Sequence, residues 1–158
     1  MSQPSSPGAV VIDANILISL CTKEPLTFTQ ANAAFNDYGQ KGWAYHAPNV
    51  VVAESLFVFC RKLQDGQLTA IEHAESVEFL QDYLALITVP GNGDASLLPR
   101  AEEVRSGYGC TRSADGLYIA LAEELAKSGA VELLTFDKGT VNQVAKNAPS
   151  VKINLLPS

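Results

Sequence analysis

Four acidic residues border or interrupt the most apolar runs of this chain. A carboxylate beside a buried surface lowers folding stability by several kcal/mol unless it is paired or binds a metal. The chain has eleven Lys and Arg but seventeen Asp and Glu, and no Lys or Arg lies within five residues of Asp13 or Glu54. We therefore expect the acids to converge on a hard divalent cation. They are Asp13, Glu54, Asp115 and Asp137.

The length and composition indicate one globular domain with a packed core. The chain has 158 residues, of which 47% are hydrophobic and 18% charged. A chain of this length buries roughly 70% of its unfolded surface. We expect residues 1–8 to be a flexible segment and residues 9–158 to form the single domain. The net charge of −6 argues against a strongly basic platform for nucleic acid, but not against an enzyme with a bound cation.

Features that the sequence lacks argue against several classes of protein. The three cysteines contain no CxxC pair, which argues against a zinc site and against a disulfide framework. The N-terminus lacks the basic and apolar regions of a signal peptide. No uncharged apolar stretch approaches the roughly 20 residues that span a bilayer. These observations predict a cytoplasmic protein without membrane contact.

Short β-branched runs alternate with helical patterns along the chain. Val10-Val11-Ile12 is typical of a strand buried on both faces. The apolar spacing of residues 69–86 predicts an amphipathic helix. Asn49 and Ser113 are the predicted N-caps of two other helices, and turns are expected at 91–94 and 137–139. This alternation predicts an α/β domain with a mostly parallel central sheet and helices on both faces. Strands are expected at 10–12, 43–47, 87–89, 130–136 and 151–156.

The positions of the four acids suit a metal site in such a fold. In open α/β sheets, sites form at the carboxyl ends of strands. Asp13 and Asp137 each follow a predicted strand, whereas Glu54 and Asp115 lie in the first turns of predicted helices. An all-carboxylate cluster suits Mg²⁺ or Mn²⁺, because hard cations prefer oxygen ligands. Such an ion can activate water and stabilise charge on a phosphoryl group.

The acidic segments also resemble a known family. The chain is similar to PIN-domain ribonucleases, and most to the VapC-like toxins of bacterial toxin–antitoxin pairs. The likeness covers residues 10–139, which is most of the chain. It rests on four ordered segments, Val10-Val11-Ile12-Asp13-Ala14-Asn15, Val52-Ala53-Glu54-Ser55, Ser113-Ala114-Asp115-Gly116-Leu117-Tyr118-Ile119-Ala120-Leu121-Ala122 and Leu134-Thr135-Phe136-Asp137.

The resemblance implies metal-dependent hydrolysis of RNA phosphodiester bonds by the four acids. Asp13, Asp115 and Asp137 would hold Mg²⁺ or Mn²⁺, and Glu54 would complete the cluster or position the attacking water. Asn15 and Thr135 would orient the metal ligands or the water without binding the metal themselves. The resemblance also implies a cognate antitoxin protein as partner, and homodimerisation is a further expectation from the family.

Basic residues near the acids are candidate contacts for the RNA substrate. Arg112 precedes Asp115 and Lys138 follows Asp137, so each could reach a phosphate group. Arg100 and Arg105 also lead towards Asp115, and a solvated surface position is an equally simple interpretation of them.

Two other classes of protein share some of these sequence features with the nuclease. A phosphatase of the haloacid-dehalogenase type requires a second Asp two residues after the first, where this chain has Asn15. A PIN-fold module that binds RNA or protein without cutting is the stronger alternative. Because all four acids are present, the sequence favours the nuclease.

Overall fold

A five-stranded, entirely parallel sheet forms the centre of the protein. The computed structural model describes residues 6–107, 109 and 114–158. The strands follow one another in space in the order β3-β2-β1-β4-β5. This arrangement confirms the predicted α/β class with a parallel sheet. The strands are β1 (Ala9–Ile12), β2 (Ala44–His46), β3 (Ile87–Thr88), β4 (Val131–Thr135) and β5 (Lys152–Leu155).

Seven α-helices surround this sheet in the described part of the chain. A short 3₁₀ helix, Asp94–Leu97, directly precedes the fifth of them. The helices are α1 (Ala14–Thr22), α2 (Phe28–Gln40), α3 (Val50–Gln64), α4 (Ala70–Leu84), α5 (Leu98–Gly107), α6 (Asp115–Ala126) and α7 (Lys138–Asn147). None of the described helices is both long and apolar enough to cross a membrane.

The strand order divides the helices between the two faces. From β1 the chain moves outward through β2 to β3, then crosses to β4 and moves outward to β5 on the other side. Parallel crossovers are right-handed, so opposite directions of travel place helices on opposite faces. Accordingly α1 contacts α2, α3 and α4, whereas α5 contacts α6 and α7. The order reverses between β1 and β4, which is where ligands bind in open α/β sheets.

The register of β1 and β4 determines which residues lie side by side where the strand order reverses. Val10, Val11 and Ile12 are 0% exposed, as expected of a central strand covered on both faces. Ile12 pairs with Leu134 in the parallel ladder. The next residues, Asp13 and Thr135, therefore stand side by side at the carboxyl edge of the sheet.

The helix that carries Glu54 is anchored by a distant acid. We expected Asn49 to cap α3, but its side chain makes no capping hydrogen bond. Instead the Asp94 carboxylate accepts hydrogen bonds from the backbone nitrogens of Asn49, at 2.7 Å, and Val50, at 2.9 Å. A carboxylate is favoured at a helix N-terminus by both hydrogen bonding and the helix dipole. The start of α3 is thereby tied to the loop before α5.

Residues 1–5, 108 and 110–113 lie outside the described part of the chain. The expected flexible segment, residues 1–8, lies mostly outside the described residues. Within it, the Ser6 hydroxyl donates to the carbonyl oxygens of Gly8, at 2.6 Å, and Gly42, at 2.9 Å. Ser113, the predicted cap of α6, and Cys110 also lie outside the described residues.

Candidate active site

Asp13 stands at the N-terminus of α1, where β1 ends. Its backbone nitrogen donates to the Leu134 carbonyl, which extends the β1–β4 ladder by one residue. The residue is only 7% exposed. Local backbone pairing and the start of a helix therefore hold a carboxylate where the sheet order reverses. The helix dipole of α1 favours a negative charge at this position.

The Asp13 carboxylate is held by two neutral side chains. The Thr135 hydroxyl donates to Asp13 Oδ2 at 2.7 Å, and Asn15 Nδ2 reaches the same oxygen at 3.3 Å. Asn15 Nδ2 also donates to Thr135 Oγ1 at 3.2 Å, and Asn15 Oδ1 accepts from the Phe136 nitrogen. Asn15 and Thr135 thus contact Asp13 in the manner expected of residues that orient it. Their catalytic contribution stays a prediction.

Glu54 reaches the same region from the second turn of α3. Its Oε1 accepts a hydrogen bond from the hydroxyl of Tyr118 at 2.6 Å. Burial raises the pKa of Glu54, the Tyr118 hydrogen bond opposes this rise, and the charge of Asp115 adds to it. The last contribution shows that Glu54 and Asp115 are close enough to repel each other.

Asp115 is the first residue of α6 and is 9% exposed. Gln143 of α7 donates from Nε2 to Asp115 Oδ2 at 2.9 Å. The next residue is glycine for a steric reason, since a Cβ at Gly116 would lie 2.7 Å from the carbonyl oxygen of Ala101. Any side chain there would push α5 away from α6. The close contact of these helices therefore sets the position of Asp115.

The three acids form an electrostatically coupled group. The pKa of Asp13 is raised to about 7, mainly by burial; the hydrogen bond from Thr135 opposes the rise, and the charges of Asp115 and Glu54 add to it. In the described part of the chain no Lys or Arg forms a salt bridge with Asp13 or Glu54. The neutral donors orient these carboxylates without cancelling their charge. A cation from solution would cancel that charge.

The donor chemistry fits Mg²⁺ or Mn²⁺, although the side chains are not closed around an ion. Among the described residues, no group of three or more His, Cys, Asp or Glu is placed so that it could hold a metal. Mg²⁺ commonly uses one or two carboxylates and keeps several water molecules, so three direct protein ligands are not required. Asp13 and Asp115, with Glu54 beside them, therefore suit such an ion.

Comparison with known proteins assigns the family. The sequence matches the PIN domain family over residues 10–147. The chain belongs to the PIN domain family. This confirms the predicted family, and the matched span contains all four predicted acids. No curated protein sequence matches the chain.

The same architecture occurs in a solved structure of a bacterial complex. The chain is similar to one in the crystal structure of VapBC2 from Rickettsia felis bound to a DNA fragment from its promoter. The TM-score is 0.60 at 14% sequence identity, and the alignment covers 93% of this chain and 98% of the other. At this identity the likeness establishes a shared fold, and it agrees with the PIN domain assignment.

Asp137 has a different position in this PIN domain from the other three acids. It follows β4 at the same sheet edge, and its nitrogen donates to Thr135 Oγ1 at 3.0 Å. Its carboxylate, however, caps α7 by accepting from the Gly139 nitrogen at 2.7 Å. We expected residues 137–139 to be a turn, whereas α7 begins at Lys138 because of this cap. Asp137 is not among the charges that raise the pKa of Asp13 or Glu54.

The predicted RNA contacts have separate outcomes. Lys138 is exposed at the N-terminus of α7, beside Asp137, so its proposed role stays a prediction. Arg112 lies outside the described residues. Arg100 is bound within the protein, because its guanidinium contacts both carboxylate oxygens of Glu123, at 2.6 and 3.0 Å. It also donates to the Asn147 carbonyl at 2.7 Å, so it joins three helices.

Sequence reasoning missed two residues that touch the acids of this PIN domain. Tyr118 lies one helical turn after Asp115, and the apolar run around it indicates a core residue. Gln143 is more than twenty residues further along the chain. The spacing of Tyr118 gave a signal, since residues three apart share a helix face. No sequence signal singled out Gln143, because its contact depends on how α7 packs against α6.

Proposed function

We propose that this protein is a metal-dependent endoribonuclease, a hydrolase that cuts RNA phosphodiester bonds as the toxin of a toxin–antitoxin pair. The observation that carries the proposal is the coupled group of Asp13, Glu54 and Asp115. These acids meet at the sheet position where α/β proteins bind ligands, within a PIN domain. Buried acids that raise one another's pKa are typical of functional sites.

Asp13 and Asp115 would hold Mg²⁺ or Mn²⁺ through carboxylate oxygens. When bound, the ion lowers the pKa of a coordinated water and offsets charge on the scissile phosphate. The hydrogen bonds from Thr135 and Asn15 would keep Asp13 in place, and Gln143 would do so for Asp115. Groups that orient metal ligands in this way commonly change metal affinity about 10-fold to 100-fold when removed.

Glu54 would position the attacking water. With Oε1 held by Tyr118, Glu54 can accept a hydrogen bond from that water at Oε2. In the hydrolysis the water oxygen forms a bond to phosphorus while the bond from phosphorus to the leaving ribose oxygen breaks. The water loses a proton and the leaving oxygen gains one, so the net reaction consumes one water per cut.

Asp137 and the basic residues would have supporting roles. Asp137 would join the ligand set through Oδ2 alone, since its Oδ1 accepts from the Gly139 nitrogen and caps α7. The exposed ammonium group of Lys138 would contact an RNA phosphate, and we propose the same for Arg112. Such phosphate contacts position a nucleic acid without reading its sequence.

An antitoxin is the proposed protein partner. The similar structure from Rickettsia felis contains a VapBC2 complex, which supports an assembly of this kind for the present chain. We propose that the antitoxin covers the acidic group and prevents RNA from reaching it. A homodimer in a cytoplasmic setting is also proposed. Sedimentation of the purified chain that gives only monomer at high concentration would refute the dimer.

Cleavage of a mixed cellular RNA pool tests the proposed activity. The wild type is incubated with Mg²⁺, with Mn²⁺ and with EDTA, beside Asp115→Asn and the control Glu123→Gln. Glu123 is an acid on the same helix that pairs with Arg100. We expect discrete metal-dependent cuts by the wild type and Glu123→Gln, and none by Asp115→Asn. Equal cutting by Asp115→Asn, or cutting that persists in EDTA, would refute the proposal.

A further inference from the structure

Tyr118 connects two of the acids through one helix. It lies one turn after Asp115 on α6, so the backbone that positions Asp115 also positions the Tyr118 ring. Its side chain is packed in the core, and the residue is 1% exposed. Its hydroxyl is the hydrogen-bond donor to Glu54 Oε1 at 2.6 Å. Glu54 belongs to α3, which is distant in sequence and packs against α1 and α4.

The Tyr118 hydroxyl is a donor that does not lose its proton. Burial, followed by the charge of Glu54, raises the pKa of Tyr118 far above its ordinary value. A neutral phenol can orient a carboxylate while leaving its negative charge in place. An ammonium or guanidinium group in the same position would neutralise Glu54 and compete with a metal ion.

We propose that Tyr118 is a positioning residue that fixes the Glu54 carboxylate relative to Asp115, with Oε2 directed to the metal or its water. This inference rests on the proposed function. A glutamate side chain has three rotatable bonds, and restraining one oxygen removes much of that freedom before a cation binds. Such preorganisation lowers the cost of forming the loaded site. The tyrosine contributes this order without touching the reacting atoms.

A second tyrosine in the same protein provides a matched control. Tyr38 is 3% exposed, and its hydroxyl donates to Glu132 Oε1 at 2.9 Å. This is the same type of bond, from a buried phenol to a glutamate carboxylate. Glu132 is not among the charges that raise the pKa of Asp13 or Glu54. Tyr38→Phe therefore removes an equivalent hydroxyl outside the acidic group.

The experiment measures Mn²⁺ affinity by calorimetry for Tyr118→Phe and Tyr38→Phe, each in the wild type and in Glu54→Gln. We expect Tyr118→Phe to weaken Mn²⁺ binding about 10-fold to 100-fold in the wild type, as for other groups that orient a metal site. We expect no such change in Tyr38→Phe. In the Glu54→Gln background, Tyr118→Phe should have little further effect, because the carboxylate on which it acts is gone. In RNA cleavage, Tyr118→Phe should lower kcat and leave KM close to the wild-type value.

Three results would count against the inference. Unchanged Mn²⁺ affinity in Tyr118→Phe would overturn it, provided that Asp13→Asn loses binding and so upholds the proposed function. Equal losses in the wild-type and Glu54→Gln backgrounds would also overturn it, because they would show a general structural effect. A wild type that binds no Mn²⁺ would overturn both proposals. Cooperative melting is checked for each variant, and Tyr118→Met, which also lacks the donor, replaces Tyr118→Phe if that variant does not fold.

Discussion

The two ends of α6 carry acids in opposite electrostatic settings. Near its C-terminus, Glu123 forms a two-pronged salt bridge with Arg100, which lowers the pKa of that carboxyl group. At its N-terminus, Asp115 lies close to Asp13 and Glu54, whose pKa values are raised. Glu123 joins helices through its bond to Arg100, whereas we propose that Asp13, Asp115 and Glu54 bind a metal cation. If this proposal holds, charge balance rather than burial separates a structural acid from a metal-binding one in this protein.

The largest effect should come from removing one charge of the acidic group. Asp13→Asn keeps the shape of the side chain but removes a proposed metal ligand, so we expect RNA cleavage to fall about 100-fold or more. Single-turnover cleavage at saturating Mn²⁺ measures this loss. Cleavage by Asp13→Asn at the wild-type rate would break the comparison, because the acids at both ends of α6 would then be structural.

The same substitution should stabilise the protein when no metal is present. Burial and two neighbouring acids oppose ionisation of Asp13, so a neutral side chain there should raise the free energy of unfolding by about 1 to 3 kcal/mol. The corresponding rise in Tm is about 3 to 9 °C. Thermal melts in EDTA at pH 8 measure it.

The pH dependence of this gain follows from the direction of the shift. The pKa of Asp13 is raised from 3.8 to about 7 in the folded protein, so the folded state binds the proton more tightly than the unfolded chain. Ionisation of Asp13 therefore reduces stability progressively as the pH rises through this window. The advantage of Asp13→Asn should be greatest above pH 7 and small near pH 4. A gain that is independent of pH would contradict this explanation.

Replacing Arg100, which pairs with Glu123 near the C-terminus of α6, should lower the stability of the protein instead of raising it. Arg100→Met retains much of the aliphatic stem but leaves Glu123 without its partner. Because the Arg100 side chain is 37% exposed, we expect a loss of only about 1 kcal/mol and a fall in Tm of about 2 to 4 °C. RNA cleavage per folded molecule should be unchanged. A large loss of cleavage with intact folding would show that Arg100 contributes to the site.

Asp137→Asn should have a smaller effect on cleavage than Asp13→Asn. Asparagine is a good N-cap, so the start of α7 should be preserved. Since the Asp137 carboxylate is bound to the Gly139 nitrogen, we expect cleavage to fall less than about 10-fold, or about 1.4 kcal/mol in barrier. Comparison of the two variants under the same conditions measures the difference. A loss as large as that of Asp13→Asn would place Asp137 among the direct ligands.

Much of the fold could be predicted because its signals are local. β-branched runs that end at polar residues, such as Val10-Val11-Ile12 before Asp13, identify buried parallel strands. The order of those runs also placed Asp13, Glu54 and Asp115 near the same sheet edge. Strand ends are informative because parallel strands present their carboxyl ends on one side.

The remaining features depend on contacts between distant segments. Asp94 caps α3 from a loop that the sequence identifies only as a turn, in place of the expected Asn49. Gln143 reaches Asp115 only because α7 packs beside α6. The sequence indicated a turn at residues 137–139, but it did not indicate that the Gly139 nitrogen binds Asp137 Oδ1 and leaves only Oδ2 for a metal. Packing, rather than sequence spacing, determines which groups these side chains contact.

Calorimetric titration of Mn²⁺ into the wild type, Asp13→Asn and Glu123→Gln tests the central claim most directly. The claim is that the group of Asp13, Glu54 and Asp115 binds a cation from solution, whereas Glu123, which is paired with Arg100, does not need one. We predict saturable Mn²⁺ binding by the wild type and by Glu123→Gln, with binding lost in Asp13→Asn. No binding by the wild type, or equal binding by Asp13→Asn, would contradict the account.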